Sequence, residues 1–307
     1  MTGDIMNKKQ LVMRTFLFVP GHIDNMLAKA KDIDADCIAF CLEDAVPFQD
    51  KSVARKKVRD ALENTDFGKK NVFVRINSID TGLTLLDLGD VACKKLDGFV
   101  YPMANTADDI KKFDAQLSLI ENQNGLDKGH SSLVVLVETP MAVLHAYELA
   151  VASSRVVALL FGCEDYMADM ESRYSVNQMS LFVPRSTVAI AARAAGVEAI
   201  DTPYVNIDDL DWLRSFATIG RDLGMSGMLV MSPRQIPIIK ECYTPSESEI
   251  KAAREIIEGE EYARKMGKGI VVVGDKFVSP PTIKQSRKLI RRAELIKAFE
   301  DNGDSYE

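Results

Sequence analysis

The chain has 307 residues, of which 47% are hydrophobic and 27% are charged, and its formal net charge is −7. This length and composition predict a compact globular protein with a sizeable buried core. The acidic balance argues against a general nucleic-acid or membrane-surface binder, because no basic face is available to neutralise phosphate groups.

Eight short apolar runs recur along the chain and are separated by amphipathic stretches. They are rich in Val, Ile, Leu and Phe with little polar alternation, which is typical of parallel strands buried on both faces. The predicted strands are Thr15–Pro20, Cys37–Glu43, Asn71–Ile76, Gly98–Pro102, Leu133–Glu138, Val156–Gly162, Ala199–Tyr204 and Gly227–Ser232. The predicted covering helices include Ile23–Lys31, Lys51–Leu62, Ala107–Ile120, Met141–Ala152, Val183–Ala195 and Ile207–Asp222.

This repeated strand and helix pattern predicts an α/β protein with a closed (β/α)8 TIM barrel in residues 1–243. A doubly wound open sheet is the structural alternative. The chain has neither a G-x-G-x-x-G nor a G-x-x-x-x-G-K-[ST] motif, which argues against dinucleotide-binding and P-loop proteins.

The pattern changes after Tyr243, and residues 244–307 are predicted to form a C-terminal helical lid extension. A helix start at residues 244–246 precedes a long charged helix, Glu247–Met266. A Gly-rich break with one short strand, Gly267–Ser279, leads to Pro280 and Pro281 and to a final basic helix, Thr282–Glu300.

The five cysteines are odd in number and contain no C-x-x-C pair, so neither a disulfide framework nor a zinc cluster is indicated. No apolar run long enough for a signal peptide or membrane span follows the polar segment Met1–Gln10. A cytoplasmic location is therefore expected.

Charged residues stand at the ends of four predicted strands. Glu43 and Asp44 end the second, Arg75 the third, Glu138 the fifth and Asp165 the sixth. Barrel active sites form where strands end, so these side chains are candidates for one site. Each carboxylate alone could equally cap a helix or form an ion pair. Together, hard oxygen ligands from one or two carboxylates suit octahedral Mg²⁺ better than zinc.

The three histidines are not placed as bases that would activate a nucleophile. His22 follows the first strand, His130 lies in a polar loop and His145 lies within a predicted helix, so structural roles are expected. No G-x-S-x-G motif occurs, which argues against a serine hydrolase. Metal and carboxylates are therefore expected to carry the chemistry.

Seven segments, in this order, resemble the CoA-ester lyases of the HpcH/HpaI aldolase superfamily, which include citrate lyase β subunits, malyl-CoA lyases and citramalyl-CoA lyases. The resemblance spans most of the chain. The segments are Arg14–Gly21 (RTFLFVPG), Leu42–Val46 (LEDAV), Val74–Asn77 (VRIN), Val137–Pro140 (VETP), Phe161–Asp165 (FGCED), Ala192–Gly196 (ARAAG) with Ala199–Thr202 (AIDT), and Pro233–Gln235 (PRQ).

The resemblance implies that Glu138 and Asp165 bind Mg²⁺, with a 2-oxo acid portion of the substrate chelating the same ion and Arg75 gripping its carboxylate. It also implies that Glu43 and Asp44 hold metal-bound waters. The segment that contains Phe18, Pro20 and Gly21, together with Lys29, would lie near a CoA or acyl-carrier arm. Cleavage of a 3-hydroxyacyl thioester develops negative charge on oxygen, which a metal ion and an arginine can stabilise.

Four residues depart from the family pattern. Cys41 stands where an Asp is common, Met103 where a Lys is common, and Ser232 where a His is common. Ser279 replaces the Asp that usually serves as the catalytic acid/base on a C-terminal lid reaching a neighbouring subunit. A serine hydroxyl has no accessible pKa for this work near neutral pH, and Asp275 is more readily interpreted as a turn residue than as a substitute.

The leading hypothesis is a Mg²⁺-dependent carbon–carbon lyase of retro-Claisen or aldol type acting on a short 3-hydroxyacyl-CoA thioester, such as malyl-, citramalyl- or citryl-CoA. A hydroxyacyl-CoA thioesterase, a CoA-independent 2-oxo acid aldolase and a non-catalytic CoA-ester-binding protein are the alternatives. The resemblance implies a homotrimer or hexamer. No nucleic-acid or membrane partner is expected.

Overall fold

The computed structural model describes residues 11–174, 178–266, 271–273 and 276–301. Eight parallel strands close into a barrel in chain order, which confirms the prediction of a (β/α)8 barrel. The barrel strands are β1 Thr15–Pro20, β2 Cys37–Cys41, β3 Asn71–Arg75, β4 Gly98–Tyr101, β5 Ser132–Val137, β6 Val156–Phe161, β7 Glu198–Asp201 and β8 Gly227–Val230.

Successive residues of a strand belong to two separate apolar clusters, which explains why the strands lack polar alternation. In β2, Cys37 and Ala39 belong to the smaller cluster, whereas Ile38 and Phe40 belong to the larger one. The larger cluster also contains helix residues such as Leu62, so it lies between the strands and their covering helices. Both faces of each strand are therefore buried, as expected for a parallel barrel.

Ten helices accompany the barrel strands in the described part of the chain. They are α1 Asp24–Lys29, α2 Lys51–Asn64, α3 Thr84–Val91, α4 Ala107–Gln123, α5 Pro140–Leu144, α6 Ala146–Val151, α7 Cys163–Asp169, α8 Met179–Ala195, α9 Leu210–Asp222 and α10 Ile236–Tyr243. Among the residues described, no helix is both long and apolar enough to cross a membrane.

The structure corrects several predicted boundaries. The predicted helix Met141–Ala152 is two helices, α5 and α6, which meet at His145, whose φ of −102° and ψ of 15° are not helical. The helix predicted from Ile207 begins at Leu210, because the Asp209 side chain accepts a hydrogen bond from the backbone N–H of Trp212 at 3.0 Å. Helices α3, α7 and α10 were not predicted.

The chain divides into two compact units, Met1–Tyr243 and Thr244–Glu307. The second unit contains helix α11 Glu247–Lys265, strands β9 Val271–Val273 and β10 Lys276–Val278, and helix α12 Pro280–Asp301. Where one short strand was predicted, β9 and β10 pair antiparallel. Helix α11 begins where a helix start was predicted, and Ser246 and Glu249 form a capping box there, in which the Ser246 N–H donates to the Glu249 carboxylate.

Candidate active site

Arg75, the last residue of β3, is held on several sides at the carboxyl end of the barrel. Its Nη1 lies 3.0 Å from Glu43 Oε2 and 3.7 Å from Asp44 Oδ2. Its Nε and Nη2 donate to Cys41 Sγ at 3.3 and 3.0 Å, and the guanidinium lies 4.4 Å from the centre of the Phe18 ring. The guanidinium is therefore fixed by the ends of β1 and β2.

Lys51 and Asn77 form hydrogen bonds with the backbone of the segment that carries Glu43. Lys51 Nζ donates to the carbonyl oxygens of Leu42 and Glu43 at 2.9 and 3.1 Å and to Asn77 Oδ1 at 2.6 Å. Asn77 Nδ2 donates in turn to the Leu42 carbonyl at 3.0 Å and to Asp87 Oδ2 at 2.7 Å. These bonds fix the backbone of Leu42 and Glu43, so the Glu43 carboxylate stays directed at Arg75.

Glu138 follows β5 directly and is only 3% exposed. Its Oε1 accepts a hydrogen bond from the backbone N–H of Met103 at 2.8 Å. Met103 has a φ of 54°, a left-handed conformation that is uncommon for a non-glycine residue. A Cβ at Gly162 would lie 2.8 Å from Glu138 Cβ and 3.1 Å from Oε2, so glycine is required there to leave room for Glu138.

Asp165 lies in the first turn of α7, close enough to Glu138 for the two carboxyl groups to affect each other's pKa. Burial raises the pKa of Glu138 to about 8, and the charges of Glu43 and Asp165 add to this rise. Burial likewise raises the pKa of Glu43 to about 7, although Arg75 opposes the rise. The pKa of Asp165 is also raised, by burial and then by Asp44. Negative charge is thus concentrated here beyond what Arg75 neutralises.

The donor set fits a magnesium ion. Glu43 Oε2 is a buried oxygen that lacks a hydrogen-bond partner among the described residues, because the contact with Arg75 does not have hydrogen-bond geometry. No group of three or more His, Cys, Asp or Glu side chains within the described ranges is arranged to hold a metal by itself. Mg²⁺ usually takes one or two carboxylates and completes its octahedron with water and substrate, so the pair Glu138 and Asp165 is sufficient.

The other predicted substrate-binding residues lie at the end of β1 and in α1. Phe18 stacks on Arg75 as described above, and Pro20 ends the strand. The Gly21 N–H donates to the Cys41 carbonyl at 2.9 Å, and a Cβ at Gly21 would lie 2.8 Å from that oxygen. Lys29, in the last turn of α1, is exposed. The structure therefore brings Phe18 to Arg75, whereas within the described residues Lys29 has no ion pair with Glu43, Asp44, Glu138 or Asp165.

The four departures have different surroundings. The Cys41 thiol accepts from Arg75, and Met103, a residue that is 42% exposed, supplies its backbone N–H to Glu138. The Ser232 side chain accepts from the Arg234 N–H and caps a short 3-10 helix. The Ser279 hydroxyl is hydrogen-bonded to Thr282 Oγ1 at 2.9 Å. Asp275 lies outside the described residues.

Two supporting groups were not predicted from the sequence. Asp87, a fully buried carboxylate in α3, accepts from both the backbone and the side chain of Asn77 and from Arg55. Thr139 donates to Asn105 Oδ1, which ties the loop after β4 to the loop after β5. Helix α3 was not predicted, so no sequence signal marked Asp87; the VETP segment drew attention to Thr139 without showing its partner.

Arg14, the first residue of the segments that carry the resemblance, lies away from this site. It precedes β1 and forms a buried ion pair with Asp36, which precedes β2, with Nε at 2.8 Å from Oδ2. The amino ends of the strands are opposite the carboxyl ends where Arg75 and Glu138 lie. Arg14 therefore lies at the amino end of the barrel, a position associated with stability and not with catalysis.

Comparison with known proteins identifies the family of the chain. Residues 14–233 match the family model described as HpcH/HpaI aldolase/citrate lyase. Citrate lyase subunit beta from Haemophilus influenzae is 31% identical over 281 residues, which cover 92% of this chain and 97% of that protein. A (3S)-malyl-CoA thioesterase from Cereibacter sphaeroides is 33% identical over 286 residues, which cover 93% and 96%.

Among solved structures, CitE from Mycobacterium tuberculosis, crystallised with magnesium, acetoacetate and coenzyme A, aligns with a TM-score of 0.72. The alignment has 25% sequence identity and covers 92% of this chain and 98% of that chain. The family model covers most of the chain, and two relatives exceed 30% identity over nearly their whole lengths. The chain therefore belongs to the HpcH/HpaI aldolase/citrate lyase family of enzymes.

Proposed function

We propose that this chain is a Mg²⁺-dependent carbon–carbon lyase that cleaves a short 3-hydroxyacyl-CoA thioester, of the class of malyl-, citramalyl- and citryl-CoA. The observation that carries the proposal is the convergence of Arg75 with the buried carboxylate of Glu138 and the exposed carboxylate of Asp165 at the carboxyl ends of the barrel strands. The magnesium and coenzyme A in the CitE complex, and the citrate lyase and malyl-CoA relatives, support this choice of cofactor and substrate class.

Glu138 and Asp165 would hold the metal ion. When bound there, Mg²⁺ supplies Lewis-acid stabilisation of negative charge on a substrate oxygen. The Met103 N–H fixes one oxygen of Glu138, so the carboxylate is oriented before any ligand arrives. This preorganisation limits the side-chain motion that substrate binding would otherwise have to restrict.

Arg75 would bind the carboxylate of the 2-oxo acid portion. Phe18 covers one face of the guanidinium and excludes water from it, while Glu43 and Cys41 fix its direction in the plane. A guanidinium held this way can stabilise the charge that develops as the carbon–carbon bond breaks without reorganising at that moment. We propose that Glu43 and the exposed Asp44 bind water next to the metal site, and that Pro20, Gly21 and Lys29 lie along the path of the CoA arm.

The second candidate is hydrolysis of the thioester, and Ser279 favours it. The hydroxyl of Ser279 is engaged by Thr282 immediately before α12, and a hydroxyl is not an acid/base near neutral pH. Without that group, protonation of the enolate fragment would be slow, whereas hydrolysis needs no proton transfer to carbon; Glu43 would accept the proton of the attacking water, and that proton would pass to the leaving thiolate. The relative named (3S)-malyl-CoA thioesterase agrees with this candidate.

Two further candidates follow from the same residues. A CoA-independent aldolase of 2-oxo acids would need only Arg75 and the metal ligands, and a non-catalytic CoA-ester-binding protein would need no acid/base. We also propose a homotrimer or hexamer, with residues 244–307 serving as a lid; this assembly follows from the resemblance, and light scattering of the purified chain tests it.

The experiment is to incubate the purified protein with Mg²⁺ and a panel of malyl-, citramalyl- and citryl-CoA and the corresponding free hydroxy acids, and to follow free thiol and 2-oxo acid by mass spectrometry, with chelator-treated controls. Metal-dependent 2-oxo acid together with acyl-CoA is the expected result. Free CoA with intact hydroxy acid would instead establish the thioesterase. Turnover of the free hydroxy acid would establish the aldolase, and thioester binding without product under every metal would establish a binding protein.

A further inference from the structure

A basic groove lies in the C-terminal unit, where α11 and α12 pack against each other. Its volume is about 390 Å³, and its lining residues are Glu260, Pro280, Ile283, Lys284, Arg287, Lys288 and Arg291. Residues 284, 287, 288 and 291 are spaced at i, i+3, i+4 and i+7, which places them on one face of a helix. The groove therefore presents four cations from α12.

Its charge is only partly compensated. Arg287 forms an ion pair with Glu260, the one carboxylate in the lining. Among the described residues, no carboxylate lies within ion-pair distance of Lys284, Lys288 or Arg291. The whole chain carries a net charge of −7, so composition alone does not account for a basic face. Like charges at positions i and i+4 destabilise a helix. The pairs Lys284 with Lys288 and Arg287 with Arg291 have this spacing.

We propose that this groove is a binding site for a small phosphate-bearing anion of the nucleoside diphosphate class. Its volume is within the range of small-molecule sites, about 300–1,000 Å³. Guanidinium groups bind phosphate in a bidentate manner, and lysines neutralise it as point charges. Ile283 and Pro280 supply an apolar surface beside the cations, suited to a base or ribose, and the amino end of the long helix α12 at Pro280 adds a favourable dipole.

Two sources share this chemistry: the nucleotide end of coenzyme A, or a free nucleotide that binds independently of the substrate. The row of cations on α12 runs from residue 284 to residue 291, about 10 Å at 1.5 Å per residue, so a diphosphate would occupy part of it and leave room for the attached nucleoside. The site goes beyond the proposed lyase activity and does not depend on it, since binding needs no turnover and no residue of the barrel site.

The test is calorimetric titration of the full chain at low ionic strength with ADP, inorganic pyrophosphate and coenzyme A. The double variant Lys284→Glu/Arg291→Glu reverses two groove charges, whereas Lys297→Glu/Arg254→Glu reverses two exposed cations outside the groove lining and serves as the control for net charge. We expect the groove variant to weaken ADP and pyrophosphate binding at least tenfold and the control to change it less than threefold.

The coenzyme A titration identifies the source. If the groove variant weakens coenzyme A and ADP to the same extent, the groove holds the nucleotide end of the thioester; if it weakens ADP alone, the ligand is a free nucleotide. Absence of ADP and pyrophosphate binding to the unmodified chain, or equal weakening in the control variant, would overturn the proposal. Circular dichroism of both variants shows whether they are folded, and the single variant Lys284→Gln repeats the test with a milder change.

Discussion

Removing one charge from the carboxylate cluster should stabilise the metal-free protein at alkaline pH. Glu138→Gln keeps an oxygen that can accept from the Met103 N–H and an amide that can donate to Asp165, but it carries no charge. Burial raises the pKa of Glu138 from 4.5 to about 8. A carboxyl whose pKa is raised in the native state binds more protons there than in the unfolded chain between these two values, so its contribution to stability falls as pH rises through that interval.

The magnitude follows from the raised pKa of Glu138. At 1.36 kcal/mol for each tenfold change, a rise from 4.5 to about 8 corresponds to a ceiling of about 5 kcal/mol above pH 8. Glu43 and Asp165 also contribute to the repulsion between negative charges in this cluster, so neutralising Glu138 removes only part of that repulsion. We therefore expect Glu138→Gln to raise the free energy of unfolding of the metal-free protein by about 2–3 kcal/mol at pH 8 and by less than ~1 kcal/mol at pH 5.

The assay is urea denaturation of both proteins at pH 5 and pH 8, with a chelator and then with excess Mg²⁺. Mg²⁺ should stabilise the unmodified protein at pH 8 by about 3 kcal/mol at a hundredfold excess over its dissociation constant, and the variant far less. Glu255→Gln, an exposed carboxylate of α11, is the matched control and should change neither quantity. If Glu138→Gln destabilises the metal-free protein at pH 8, or if Mg²⁺ stabilises both proteins equally, the reasoning about the cluster is wrong.

Three further predictions concern the same site. Asp165→Ala should remain folded by circular dichroism but lose about 100-fold or more of Mg²⁺-dependent turnover, and retention of half the activity would exclude Asp165 as a ligand. Arg75→Lys cannot reproduce the planar contacts with Cys41 and Glu43, so kcat/KM should fall about 30-fold, or about 2 kcal/mol, and an unchanged value would remove Arg75 from substrate binding. Gly162→Ala should displace Glu138, lower stability by about 1–3 kcal/mol and weaken Mg²⁺ about tenfold in a calorimetric titration, whereas unaltered Mg²⁺ affinity would show that the loop absorbs the methyl group.

The barrel was predictable because burial on both faces leaves a direct trace in the sequence. Each strand is a short apolar run, and all eight lie where they were predicted, with ends shifted by a few residues. Break points inside helical stretches were not predictable. His145 interrupts the predicted helix Met141–Ala152, and its Nδ1 is hydrogen-bonded to the carbonyl oxygen of Asn105, 40 residues earlier in the chain. Such a contact depends on the fold and leaves no local pattern.

The candidate site was predictable to the extent that side chains at strand ends must meet. Arg75, Glu43 and Asp165 follow this rule, and the structure places them together. The rule does not predict which backbone N–H groups donate hydrogen bonds to these side chains. The N–H that orients Glu138 belongs to Met103, and its direction depends on a left-handed φ that no residue type at this position would indicate. Asp87 acts through Asn77, so its role required the tertiary contact to be seen.

Two of the departures from the family pattern would affect different steps: Cys41 would affect substrate binding, and Ser279 would affect proton transfer. Cys41 contacts Arg75, for which we propose a role in substrate binding, and a thiol leaves the guanidinium with one fewer negative neighbour than an Asp would. Ser279 belongs to the C-terminal unit, and its hydroxyl is hydrogen-bonded to Thr282. If Arg75 binds the substrate carboxylate and Ser279 cannot transfer protons, the proposed site would still bind and polarise a thioester. The fate of that bound thioester would then depend on whether water or another acid reaches it, which is why free thiol and 2-oxo acid must be measured in the same reaction.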